Sequence, residues 1–233
     1  MATSDSPVLI ACSHGTADRA GQAAVSALAE QIRQLRPGLD VRETFVDVQH
    51  PQVPEVVAGV EQGRHAVVVP LLLSVGYHVR VDIARAVRSR EGITAAAPLG
   101  PDRRLAALLD RRLAEAGAAP EDAVVLAAAG SSDPHAARDV QQLAGMLAEL
   151  RANRILAAYG ASAEPDVPSA VAVLRKEGAP RVVIASYLLA PGYFHSQLLK
   201  AGADLVTQPL LPDESLARIA LDRFDEALAK AAG

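Results

Sequence analysis

The chain is 233 residues long, half of them hydrophobic, with a formal net charge of −4 and a single cysteine, Cys12. That length buries a large core in one domain or two, and the lone cysteine excludes internal disulfides, a Cys-rich zinc site and a self-contained iron–sulfur cluster. Four Tyr, three Phe, no Trp and a negative balance exclude a nucleic-acid binder, which needs a basic face and stacking rings, while the lack of a long apolar run or a secretory signal predicts a cytoplasmic protein with no membrane contact.

In chain order, apolar strand-like runs alternate with segments of helical period, the pattern of βαβ units in a parallel sheet. The first strand is read over 8–13 and runs into His14-Gly15-Thr16; Cys12 within it is a small buried residue. A helix over 18–36 leads to a strand over 40–46, where even spacing would put Glu43, Phe45 and Asp47 on one face. A helix over 53–62 and a strand over 65–72 follow, and Gly76-Tyr77-His78 then opens a helix over 79–90 that carries Arg80, Arg85 and Arg88. A strand over 93–97, a helix over 102–116 and the linker Ala116-Gly117-Ala118-Ala119-Pro120 complete the first half. The second half repeats the order, with strands over 123–129, 154–160, 181–188 and 204–207 and helices over 134–151, 166–177, 194–202 and 213–231. Neither a phosphate-binding G-x-x-x-x-G-K-[ST] loop nor a strand-linked G-x-G-x-x-G occurs, so no nucleotide is implied. Gly15, Gly76 and Gly130 are assigned to tight strand-to-helix turns.

Three landmarks align the halves at a nearly constant offset: Gly15 with Gly130, Phe45 and Pro51 with Tyr159 and Pro165, and Gly76-Tyr77 with Gly192-Tyr193. The fold class expected is therefore α/β, two similar domains by internal duplication, each a mainly parallel sheet flanked by helices. The boundary falls between residues 118 and 119, so the domains are 1–118 and 119–233. In this register His14 faces Ala129, Asp47 faces Ala161 and His78 faces Phe194. Three polar groups vanish together from the second copy, which one lost site explains more simply than three separate replacements. A slip of one residue would set His195 opposite His78. His50, His65 and His135 are assigned to loops or strand edges.

Imidazole binds first-row divalent metals and exchanges protons near neutral pH, and a carboxylate from a neighbouring strand can bind the same ion or orient a ring. Carboxyl ends of parallel strands line the ligand crevice, so His14, Asp47 and His78 can converge there. Two His and one Asp leave coordination positions open, which suits transfer of an ion more than structural locking.

These residues carry a resemblance. His14-Gly15-Thr16 at the end of the first strand, Phe45-Val46-Asp47 before Pro51, and Pro-Leu-x-Leu-x-x-Gly-x-His-Val-x-x-Asp-Ile from Pro70 to Ile83 resemble the sirohydrochlorin chelatase family, within the class II tetrapyrrole chelatases. Longer members of that family carry two such domains, so the resemblance covers nearly the whole chain. Where the family usually shows Glu this chain has Asp47, and its first loop continues Thr16-Ala17-Asp18-Arg19.

The resemblance implies a lyase that inserts a divalent metal, Fe2+, Co2+ or Ni2+, into sirohydrochlorin on the way to siroheme or a cobalt corrinoid. His14, His78 and Asp47 would be both metal ligands and catalytic groups in the N-terminal domain. No organic cofactor is implied. The macrocycle is a polycarboxylate, which implies contacts from Arg19, Arg80 and Arg85. The degenerate C-terminal domain would be a lid and wall, with Tyr159, Tyr187, Tyr193 and Phe194 as apolar contacts, and a monomer could enclose the site. The alternatives are a metal or tetrapyrrole carrier without catalysis, and a histidine-type phosphatase suggested by Ser13-His14-Gly15, in which Ser13 stands where an arginine would be needed.

Overall fold

The structure, a computed structural model, describes residues 6–76 and 78–231, with the side chains of His78, Val79 and Arg80 outside the description, as is Tyr77. Two compact units divide it: Met1–Leu99 with Leu211–Gly233, and Gly100–Leu210.

In the first unit β1 (Val8–Ser13), β2 (Asp40–Phe45), β3 (Ala66–Pro70) and β4 (Ile93–Ala95) form a parallel sheet in the order β2-β1-β3-β4. All six residues of β1 are buried, as expected of a central strand covered on both faces. Val8, Ile10 and Cys12 share one face with Val68, under Val53 and Val57 of α2 (Val53–Ala58). Ile83 and Ala86 complete that cluster; Ile83 closes a π-helical turn, His78–Ile83, and Ala86 lies in α3 (Ala84–Arg88). The other face is covered by α1 (Arg19–Leu35) and the C-terminal helix, described below. Helix α1 starts where the Asp18 carboxylate accepts the Gly21 N–H at 2.8 Å, a side-chain cap on an otherwise unpaired donor. Because β1 connects first to β2 on one side and the chain then returns to β3 on the other, the switch point and its crevice fall at the carboxyl end of β1.

The second unit repeats this plan with β5 (Ala123–Ala128), β6 (Ile155–Tyr159), β7 (Val182–Tyr187) and β8 (Leu205–Val206) in the order β6-β5-β7-β8. Its other helices are α5 (Pro134–Ala148), α6 (Val167–Lys176) and α7 (Tyr193–Leu198). The likeness extends to loop detail. Val48 and Ser162 both take positive φ, 62° and 59°. At Gly15 and Gly130, φ 89° and 92°, a Cβ would collide with the carbonyl oxygens of Asp47 and Ala161 respectively. The duplication read from spacing is thus present in three dimensions with the same register.

The compact units do not follow the sequence repeat, whose boundary is expected at 118/119. Helix α4 (Arg103–Glu115) packs on α5 and β7 of the second unit, and α8 (Glu214–Ala231) packs on α1, β3 and β4 of the first. Each sheet is closed by the helix that follows the other half's last strand. An apolar stripe states that a helix must be covered, not by which sheet, so periodicity could not reveal the exchange.

Smaller differences concern element ends. Strand β4 stops at Ala95, α7 at Leu198, and the expected helix over 79–90 opens as the π-helical turn before becoming α-helical at Ala84. Among the described residues no helix is long and apolar enough to cross a membrane.

Candidate metal and macrocycle site

His14 follows the last residue of β1 and is exposed. Beyond the strand ends the parallel ladder continues for two more bonds, Val46 N–H to the Ser13 carbonyl at 3.0 Å and Asp47 N–H to the His14 carbonyl at 3.0 Å. Those bonds set His14 and Asp47 side by side at the crevice. Gly15 permits this approach, since its left-handed φ suits glycine and any side chain would strike the Asp47 carbonyl. The exposed Asp47 carboxylate accepts the Val48 N–H at 2.8 Å through Oδ1.

Glu43 is directed elsewhere. It accepts from Ser26 Oγ at 3.1 Å and from Arg33 Nη2 at 3.2 Å, both on α1. The expected alternation 43, 45, 47 ends at Phe45, where the strand stops and the chain bends.

The His78 backbone begins the π-helical turn eight residues after β3, and its side chain lies outside the described residues, as does that of Arg80. Among the described residues no three His, Cys, Asp or Glu side chains stand together as a metal site. Arg19 is the first residue of α1 and Arg85 lies on α3; both are exposed. The Cys12 thiol is fully buried, and burial, with Asp82 adding to it, pushes its pKa up to about 12, which removes it as a ligand or nucleophile at neutral pH.

The second unit shows how a site of this shape is closed. Ala129 and Ala161 occupy the places of His14 and Asp47, and the ring of Phe194 lies over Gly160, where even a Cβ would meet the ring Cδ1 at 2.8 Å. Phe194, expected as a contact to a macrocycle, is half-buried and packs with Ala129 against the unit's own core. Tyr159 and Tyr187, expected as apolar contacts, are instead buried. Each is 2% exposed, and burial drives the Tyr187 hydroxyl pKa strongly upward. Tyr193 alone of the four presents its ring, at 72% exposure, in edge contact with Phe194.

His195 is held by its fold. Its Nε2 lies 3.1 Å from the Thr207 carbonyl, which also accepts from Ser186 Oγ at 2.7 Å, so the ring is tied to a buried Ser–Thr pair at the end of β8. Leu99 and Leu210 donate to the carbonyls of Leu72 and Leu188 respectively. His50 and His135 sit beside Glu55 and Asp133 near helix starts, and His65 is exposed just before β3.

Two residues were not singled out from sequence. Gln49 Oε1 accepts the Thr16 N–H at 2.9 Å, and Gln22 Nε2 donates to the Thr16 carbonyl at 2.8 Å. The signal was available, because both face alanines, Ala163 and Ala137, in the second copy.

With this geometry in hand, comparison with known proteins gives a consistent picture. A profile of the CbiX family matches the chain twice, over residues 8–116 and 123–227. Sirohydrochlorin ferrochelatase of Bacillus subtilis is 29% identical over 196 residues, covering 79% of this chain and 75% of that protein. Sirohydrochlorin ferrochelatase of Priestia megaterium is 27% identical over 205 residues, 82% of this chain and 76% of its own length. The structure of SirB from Bacillus subtilis with Fe3+ superposes with a TM-score of 0.82 at 23% identity, over 98% of both chains, a likeness of fold.

Proposed function

Because the chain belongs to the CbiX family, we propose that it inserts a divalent metal ion, Fe2+ or Co2+, into sirohydrochlorin in the cytoplasm, with siroheme as the pathway end product. The observation that carries the reading is the pairing of His14 with Asp47 across the Asp47 N–H to His14 carbonyl bond, present in one copy of the duplicated fold and replaced by Ala129 and Ala161 in the other. The relatives named above as sirohydrochlorin ferrochelatases support the choice of iron and of sirohydrochlorin.

Insertion exchanges one divalent ion for two pyrrolic protons. The chain must therefore strip water from the metal and receive protons from the ring. In this proposal His14 and His78 ligate the incoming ion and accept the protons as general bases, while Asp47 adds a negative charge that favours both the cation and the protonated imidazole. Exposure of His14 and Asp47 keeps the site open to ligands. Arg19 and Arg85 offer cations to the macrocycle's carboxylates, and Tyr193 offers an exposed ring.

The test is the rate of Co2+ and Fe2+ insertion into sirohydrochlorin, followed by absorbance, for wild type, His14→Ala, His78→Ala and His195→Ala. Losses of about 100-fold or more are expected for the first two variants, with His195→Ala near the wild-type rate. Tight metal or tetrapyrrole binding without acceleration over the spontaneous reaction would replace this reading with that of a carrier.

A further inference from the structure

We infer that Gln49 is a positioning residue of this site, locking the His14 loop to the Asp47 loop through Thr16; this rests on the chelatase reading above. The link is a short chain of bonds. Gln22 Nε2 holds the Thr16 carbonyl at 2.8 Å, Thr16 N–H reaches Gln49 Oε1 at 2.9 Å, and Gln49 N–H returns to the Asp47 carbonyl at 2.6 Å. That last bond closes a three-residue turn centred on Val48, whose φ of 62° makes it the strained form of the γ-turn, costly for a β-branched side chain. Val48 is 55% exposed, so nothing in its packing repays the strain. The Gln49 side chain ties this turn to Thr16; the positive φ itself recurs at Ser162 without a glutamine beside it.

The duplicated unit provides the control. It keeps four features that shape the loops: Gly130 against the Ala161 carbonyl, Ser162 at φ 59°, the Ser131 Oγ accepting the Asp133 N–H, and Asp133 as the helix cap. The same features recur in the first unit as Gly15, Val48, Thr16 with Asp18, and the Asp18 cap. The pair of glutamines is absent from the second unit together with His14 and Asp47, replaced by Ala163 and Ala137, which carry no polar side-chain atom. The fold forms without the clamp, so the clamp serves the side chains that disappear with it. Its action is indirect: holding Thr16 fixes the two residues before it, and holding the turn at Val48 fixes Asp47, so that a ligand pair is set before metal arrives.

The experiment compares Gln49→Ala, Gln49→Glu and Gln22→Ala with wild type. Gln49→Ala is expected to speed hydrogen exchange at the Thr16 amide at least tenfold, weaken Co2+ binding to the protein alone, and lower kcat for Co2+ insertion about tenfold. KM for sirohydrochlorin and the melting temperature should stay near wild type. Gln49→Glu, which retains an acceptor for the Thr16 N–H, should restore the amide protection and most of kcat, and Gln22→Ala should show a smaller loss of the same kind. Unchanged kcat in Gln49→Ala, or a loss that only tracks a lowered melting temperature, overturns the inference. If wild type itself inserts no metal, the chelatase reading falls first; the clamp is then judged on Thr16 exchange and on the His14 ring resonances in Gln49→Ala, and no change in these overturns it independently.

Discussion

Cys12 and His14 stand two residues apart at the end of one strand in opposite environments. The thiol points into the cluster formed with Val53, Val57 and Ile83, whereas the imidazole stands exposed at the crevice. Burial, then the negative charge of Asp82, pushes the Cys12 pKa from 9.0 up to about 12. A folded-state pKa above the unfolded value gives stability that is complete below about pH 9 and is lost as pH rises toward 12, because the unfolded chain then releases a proton that the folded chain keeps. Two outcomes follow: a thiol reagent at pH 8 leaves Cys12 unmodified until denaturant unfolds the first unit, and the melting temperature of wild type falls more steeply above pH 9 than that of Cys12→Ala. Fast labelling of the native protein would contradict this burial. The same contrast of setting separates Tyr193 from Tyr187 and His14 from His195, pairs that composition alone treats as equals.

At the scale of elements, the exchange of α4 and α8 decides which fragments can fold. Helix α8 buries Leu216, Ile219, Leu221 and Phe224 on the first sheet and α1. Four side chains of that size contribute about 6–12 kcal/mol of burial, comparable with the whole stability of a domain, about 5–15 kcal/mol. A fragment ending at residue 118 would carry α4, whose Leu105, Leu108, Leu109 and Leu113 belong in the second unit, and would lack α8. It is expected to show no cooperative thermal transition by circular dichroism. A chain joining residues 6–99 to 211–231 through a flexible linker should melt cooperatively, and cooperative unfolding of 1–118 would contradict the assignment of α8. The π-helical turn at His78–Ile83 marks the place where the first unit departs from regular helix.

For the whole molecule the net charge is −4, while the substrate proposed is itself a polyanion. Association must therefore work through local cations against an unfavourable overall field. Salt screens both contributions, with a Debye length of about 10 Å at 0.1 M and about 3 Å at 1 M, so short-range pairing with arginines should dominate the specific term. The double substitution Arg19→Ala, Arg85→Ala is expected to raise KM for sirohydrochlorin about three- to tenfold with little change in kcat, at a cost of about 0.3–0.7 kcal/mol for each exposed charge pair. A fall in kcat at unchanged KM would remove these residues from macrocycle binding.

The sequence by itself determined the α/β class, the duplication, the register between its copies and the side chains that one copy has lost, because strand and helix periods and glycine-dependent turns are written locally along the chain. His14 at a strand end and the asymmetry between Asp47 and Ala161 were legible for that reason. Tertiary structure alone decided that Glu43 is taken by Arg33 and Ser26, that Phe194 turns inward over Gly160, that Gln49 reaches Thr16 across 33 residues, and that α4 and α8 exchange sheets. Each of these depends on which partner a side chain or an apolar face meets in space, and local pattern specifies only that a partner is needed.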